Sequence, residues 1–313
     1  ILHLVGLLLV AAVGSNYALF FDHLQHSAGD GTGDGPDADT LASLLMAQRV
    51  CSGRICVVGD DRQAIFGFRG ADSGSIDRLK AQLDAVELPM TVTYRCAKSI
   101  VAMAAEIVPD FTAGPSNPEG VVRDLGQDAM LREASAGDFI LSRVNAPLVS
   151  IALTLLRSGK RARIAGREIG KTLAAIVRKM KAKSVPDLLS KVAAWETKEV
   201  RRQEALLANA TDSRRGTIEA KLEAIRDQAT MLSELCEGAA STADVERRLE
   251  ALFSDDGKGV QGFITCSSVH RAKGLEAERV FVLAKTLRSN SEEERNITYV
   301  AITRAKRELV MVA

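Results

Sequence analysis

Short apolar runs ending in glycine or polar turns alternate with segments of helical spacing through most of this chain, and that order restricts the fold severely. "RICVVGD" reads as a buried strand ending in a glycine turn, "SIDRLKAQL" as helix, "AVELPMTVTY" as strand and "KSIVAMAAEIV" as helix again. "GDFILSRVN", "APLVSIALTLLRSG" and "RARIAG" repeat the strand, helix, strand order, and "GFITCSSVH" and "ERVFVLA" flank "RAKGLE". Alternation of this kind predicts an α/β fold of parallel sheets flanked by helices, with ligands at the loops that follow the strand ends. Residues 186–255 break the pattern, because strands vanish and charge rises. Ile218, Leu222, Ile225, Ala229 and Leu232 recur there at helical spacing, which predicts a hairpin of amphipathic helices. A dimerising coiled coil is the rival reading, but the apolar register lasts only about two heptads, fewer than a coiled coil needs.

The 313 residues, 46% hydrophobic and 26% charged, suffice for two packed cores and exclude disorder as a description of the whole chain. A net charge of +1 neither supports nor excludes a nucleic-acid partner, which would need a local basic groove. Cys51, Cys56, Cys96, Cys236 and Cys266 are odd in number, scattered and without a CxxC pair; reduced thiols in a cytoplasmic protein are expected, with no structural metal site. The opening "ILHLVGLLLVAAV" is short for a membrane span and lacks the basic start of a signal peptide, so a buried strand or helix is expected and no membrane partner.

"AGDGTGDGPDADT", residues 28–40, admits two opposite readings. Its glycines suit a phosphate-cradling loop, yet it has no lysine, and Asp30, Asp34, Asp37 and Asp39 would repel a phosphate without a divalent metal; composition favours a flexible, solvated loop. "AGREIGKT", residues 165–172, fits a relaxed phosphate-loop pattern with Lys171 on phosphates and Thr172 on Mg²⁺. Arg167 and Glu168 are bulky where backbone must approach the ligand, which argues for a decoy.

The richest stretch is "VVGDDRQAIFGFRGAD", residues 57–72. A strand followed by Gly-Asp-Asp and then Gln63 puts a neutral amide at a sheet's ligand edge, where it can sense a terminal phosphate. Phe66, Phe68 and Arg69 follow; they are either bases' stacking partners, each stacked base worth about 1–3 kcal/mol, or, for the phenylalanines, core residues. Arg95 comes straight after a strand in "TYRCAKS", and Arg304 is read as lying on a helix that leads into the final strand. In "SSVHRAKGLEAERVFVL", His270, Arg271 and Lys273 crowd a strand-to-turn junction, a grouping suited to nucleic-acid phosphates.

Taken in order, these stretches resemble the superfamily 1A DNA helicases, the UvrD, Rep and PcrA group. "GDDRQAIFGFRGA" is similar to the family's GDxxQSIYxFRGA, "TYRCAKSI" to its NYRS segment, "SVHRAKGLEAERVFV" to HxxKGLEFxxVF and "ITYVAITRAKREL" to LxYVAxTRAKxxL, over roughly residues 39–313. The resemblance implies the C-terminal part of a first RecA-like domain at 39–93, a second RecA-like domain at 94–185 and 256–313, a reduced helical insertion at 186–255, and an atypical leader at 1–38. It implies ATP and Mg²⁺ as cofactors, single-stranded DNA or partial duplex as substrate, 3′-to-5′ movement and a monomer. Gln63 then couples the γ-phosphate to the DNA-binding loop, Arg95 and Arg304 reach the same phosphate, Glu276 holds the ribose, and Gly274 borders the nucleotide set and the DNA track. Phe66, Phe68 and Arg69, with His270 and Lys273, line the DNA. Two family elements have no counterpart: no AGxGxGKT loop precedes Val57, and "GPDADT" stands where DExQDT is expected, with Gly35 and Pro36 in place of the acid pair. The chain is therefore expected to be the C-terminal portion of such a helicase behind an unrelated or frame-shifted leader, hydrolysing ATP poorly or not at all. A non-catalytic DNA-binding remnant is the rival.

Overall fold

The structure is a computed structural model that describes residues 8–13, 16–21, 55–58, 60–63, 65, 80–81, 84–253 and 262–313. The chain divides into two compact units, Ile1–Pro89 and Met90–Ala313. The Gly/Asp-rich stretch, Phe66, Phe68, Arg69 and most of "SIDRLKAQL" lie outside the described residues.

In the first unit, β1 (Leu8–Val13), β2 (Asn16–Phe21) and β3 (Ile55–Val58) form one sheet in that order. β1 and β2 are antiparallel, registered from Leu8 opposite Phe21 to Val13 opposite Asn16, while β2 and β3 are parallel. The apolar opening thus contributes a hairpin strand, where uniformly parallel sheets were expected. An apolar run says that a segment is buried, but strand direction depends on the length of the connection, and antiparallel neighbours need only a few linking residues. No helix among the described residues is long and apolar enough to cross a membrane.

The expected strand "AVELPMTVTY" shrinks to β4 (Val92–Thr93), which pairs with β5 (Thr112–Ala113). Pro89 explains part of this, since a residue without an N–H cannot donate to a ladder. Val86, Leu88 and Met90 remain exposed.

The second unit is built on a six-stranded, wholly parallel sheet. Its strands are β6 (Val121–Leu125), β7 (Phe139–Ser142), β8 (Ala162–Ile164), β9 (Ile264–Ser268), β10 (Ala277–Leu283) and β11 (Ala305–Val312), in the order β6-β11-β10-β7-β9-β8. β7 and β9 are buried at every position, as strands covered on both faces must be, and this explains why they read as unbroken apolar runs. Helices α1 (Lys98–Ala105), α2 (Gln127–Glu133), α3 (Ala146–Arg157) and α4 (Arg167–Met180) flank it. This is the α/β architecture of parallel sheet and flanking helices that the alternation predicts.

Beyond α4 the chain forms three helices, α5 (Val185–Leu207), α6 (Asp212–Cys236) and α7 (Thr242–Phe253), where a hairpin was expected. α5 and α6 make the hairpin. Ala229 and Leu232 of α6, with Val245, Leu249 and Leu252 of α7, join the hydrophobic core that contains Ile140 of β7 and Cys266 of β9. The helical stretch is therefore a wall of the sheet's own core. α7 lies tight on α4, because a Cβ on Gly170 would sit 2.5 Å from Cβ of Phe253. Periodicity alone shows an apolar face, not the neighbour it meets.

Burial pushes the Cys266 thiol from the ordinary 9.0 up to about 12. A proton held more tightly in the folded chain stabilises it fully below about pH 9 and loses that effect as pH rises toward about 12, on the order of 4 kcal/mol across the range. The alkaline limb of a pH–stability curve measured by urea unfolding is accordingly expected to flatten in Cys266→Ala. An unchanged limb would show that Cys266 titrates normally.

Candidate functional site

β10 and β11 are adjacent and pair Ala277 with Ala305, so the residues that enter them, Glu276 and Arg304, start side by side. Arg304 lies in the turn between α9 (Glu292–Ile302) and β11, one residue after the Thr303 cap, and not on the helix as expected. Arg95 reaches the same place from the bend after β4. Asn117 holds that bend, its Nδ2 donating to the carbonyls of Thr93 at 2.9 Å and Cys96 at 2.7 Å. The Ala97 N–H donates to the Lys306 carbonyl at 2.8 Å, tying the bend to β11. Gly120 permits the approach: its φ is +71°, and a Cβ there would stand 2.2 Å from Cβ of Ala97.

Around Glu276 the charges are unequal. Its Oε2 is 3.1 Å from Arg95 Nε and its Oε1 is 2.6 Å from Lys306 Nζ. Arg304 is 1% exposed and makes no ion pair with a carboxylate among the described residues. Its Nε donates to the Val300 carbonyl at 3.0 Å, one terminal nitrogen to the Leu275 carbonyl at 3.2 Å and the other to Thr303 Oγ1 at 3.2 Å. Burial, then the Arg95 charge, press the Arg304 guanidinium below its usual range, while the Lys306 hydrogen bond holds the Glu276 carboxyl below its own. Three cations thus surround one carboxylate, and a buried guanidinium keeps donors that main-chain carbonyls do not fill. Such an excess suits a phosphate, which accepts several charge-assisted hydrogen bonds.

In the first unit, Gln63 ends the short 3₁₀ turn Asp61–Gln63 that follows β3. Asp60 folds this turn, its Oδ1 accepting from Arg62 N at 3.0 Å and its Oδ2 from Gln63 Nε2 at 2.6 Å. Two stretches of the chain match two family descriptions, the UvrD/REP helicase N-terminal domain over residues 38–84 and the UvrD-like helicase C-terminal domain over residues 263–312. These two matches support a UvrD/Rep-like superfamily 1 helicase. The first match contains Asp60 and Gln63, and the second contains Glu276, Arg304 and Lys306; Arg95 lies outside both. Comparison with curated proteins returns no match.

Not all residues expected to act together in such a helicase are brought together. α8 (Val269–Ala272) follows the C-terminal end of β9 and carries half-buried His270, with Lys273 as its cap. Gly274, at φ +80°, turns the chain out of α8 and toward β10. Glu276 and Arg304 stand instead on the connections that enter β10 and β11, whereas Arg95 lies in the bend that follows β4.

"AGREIGKT" is closed to a phosphate. α4 begins at Arg167, directly after its Gly166 cap, and the Ile169 and Gly170 N–H groups already donate to the Gly166 carbonyl. Lys171 Nζ pairs with Glu168 at 2.7 Å, and Thr172 Oγ1 donates to the Glu168 carbonyl. A cradle needs these amides turned toward an anion, and here the helix has taken them.

Lys306 and Asn117 escaped the sequence reading. Lys306 lies two residues beyond Arg304 within the same quoted motif, where strand alternation would have put both on one face. Asn117, in the turn "GPSNPEG", carries no comparable signal.

Proposed function

We propose that this helicase reads the terminal phosphate of ATP with Arg95 and Arg304 and follows single-stranded DNA with Phe66, Phe68, Arg69, His270 and Lys273. Gln63 links the two tasks. The buried guanidinium of Arg304 carries the reading, because buried charges are usually paired and this one has no carboxylate partner among the described residues. Arginines of this kind stabilise charge on a transferring phosphoryl group. Movement is 3′ to 5′ by resemblance to the family.

Catalysis needs more than these arginines. A lysine on the phosphates and a pair of acids for Mg²⁺ complete the family's centre, but no lysine precedes Lys80 and "GPDADT" offers Gly35-Pro36 in place of the acids. This polypeptide alone is therefore proposed to bind single-stranded DNA with little or no ATP turnover. Fluorescence anisotropy with an oligo-dT strand, run beside a DNA-stimulated phosphate-release assay, tests this. The expected result is salt-sensitive DNA binding with hydrolysis near background. Robust DNA-stimulated turnover would overturn the weak-catalysis part, and absence of DNA binding the nucleic-acid part.

A further inference from the structure

We propose that Glu276 is an internal competitor for the phosphate site: it occupies Arg95 until a phosphate displaces it, and Lys306 retains the carboxylate when Arg95 leaves. The inference rests on the reading that Arg95 and Arg304 take a phosphate, and it assigns Glu276 and Lys306 a regulatory role in that site.

Both Glu276 oxygens already accept a charge-assisted contact, Oε2 from Arg95 and Oε1 from Lys306. Each oxygen keeps a second lone pair, so a ribose hydroxyl can be accepted while these two contacts hold. The Arg95 and Glu276 side chains are 45% and 40% exposed, and pairs of such exposure are weak and screened. Arg95 can therefore exchange a single carboxylate for a phosphate of higher charge at little cost, whereas Arg304, buried and fixed by main-chain carbonyls, stays in place.

Lys306 makes the exchange one-sided. Its ammonium is 2.6 Å from Glu276 and 3.9 Å from Glu278, and its own carbonyl accepts from Ala97 N–H in the bend that carries Arg95. Once Arg95 turns away, Glu276 keeps an ionic partner and is neither stranded nor pointed at the incoming phosphate. Without Lys306, Glu276 would be left to Arg95 alone and hold it more tightly.

Isothermal titration of the full chain with inorganic pyrophosphate, which has no ribose, reads this directly. Glu276→Gln is expected to bind pyrophosphate about threefold to tenfold tighter than the unaltered chain, and Lys306→Gln about threefold to tenfold weaker, with Lys306→Arg restoring the original affinity. Glu278→Gln is the control for the long-range field, since Glu278 pairs with Arg307 at 3.2 Å and with Lys306 but not with Arg95. A gain in Glu276→Gln no larger than in Glu278→Gln, or a loss, overturns the competitor role while leaving the phosphate site intact. No pyrophosphate binding by either the unaltered chain or Glu276→Gln overturns the phosphate reading together with the inference.

Discussion

Arg304→Lys is expected to lose pyrophosphate binding by more than about tenfold and to destabilise the second unit by about 2–4 kcal/mol in urea. The charge is kept, so the loss isolates geometry. A guanidinium reaches the Val300 carbonyl, the Leu275 carbonyl and Thr303 Oγ1 at once, from a position 1% exposed. An ammonium has donors at one point and leaves at least one buried carbonyl without a partner. Burial also drives a lysine to give up its proton far more readily than an arginine, which removes the charge that a phosphate would meet. Equal stability and equal pyrophosphate affinity in the variant would show that Arg304 is neither a structural tie nor an anion ligand.

A second large effect is expected far from that cluster, in Glu294→Ala, at about 3–5 kcal/mol by urea unfolding. Arg143, whose side chain is 14% exposed, is held by Glu294 through Nε at 3.0 Å and a terminal nitrogen at 2.9 Å, with Glu223 of α6 at 3.2 Å. Burial works against the Arg143 charge; the Glu294 hydrogen bonds and the Glu223 charge outweigh it and leave the guanidinium above its usual range. Removing Glu294 strands a buried cation on a single, more exposed acid. Replacing both partners with apolar residues, Arg143→Met with Glu294→Leu, is expected to recover at least half of the loss, because the desolvation cost disappears with the pair. A double variant no better than Glu294→Ala would mean that the pair contributes net attraction beyond its desolvation.

That network also shows how α6 is fixed. Asp227 accepts from the Asn145 and Ala146 N–H groups at the start of α3, at 3.0 Å and 2.8 Å, and so caps from another helix an end that has no side-chain cap of its own. In the sequence Glu223 and Asp227 are simply polar residues on an amphipathic helix. Their function as ties appears only when α6 lies against the sheet.

The strands of the second unit were legible because burial on both faces leaves no room for polar alternation: "DFILS" and "ERVFVL" have few other ways to fold. Gln63, Arg95, Glu276 and Arg304 were legible through motifs, since each sits in a short, ordered string of residues. Local order also decided that "AGREIGKT" is suspect, and the structure gives the reason in the helical hydrogen bonds of Gly166. Three matters lay beyond composition and periodicity. The β1–β2 pair is antiparallel because pairing direction depends on the connection between strands, not on their apolar content. α7 packs on α4 because Gly170 leaves room for Phe253. Arg95, Glu276, Arg304 and Lys306 form one charged cluster because β10 lies beside β11 and Asn117 bends the chain after β4, and such distances in sequence carry no periodic signal. Composition and spacing thus reveal which residues must be buried and which carry charge, whereas the balance of three cations against one carboxylate is a property of tertiary neighbours, since Coulomb interaction depends on separation in space.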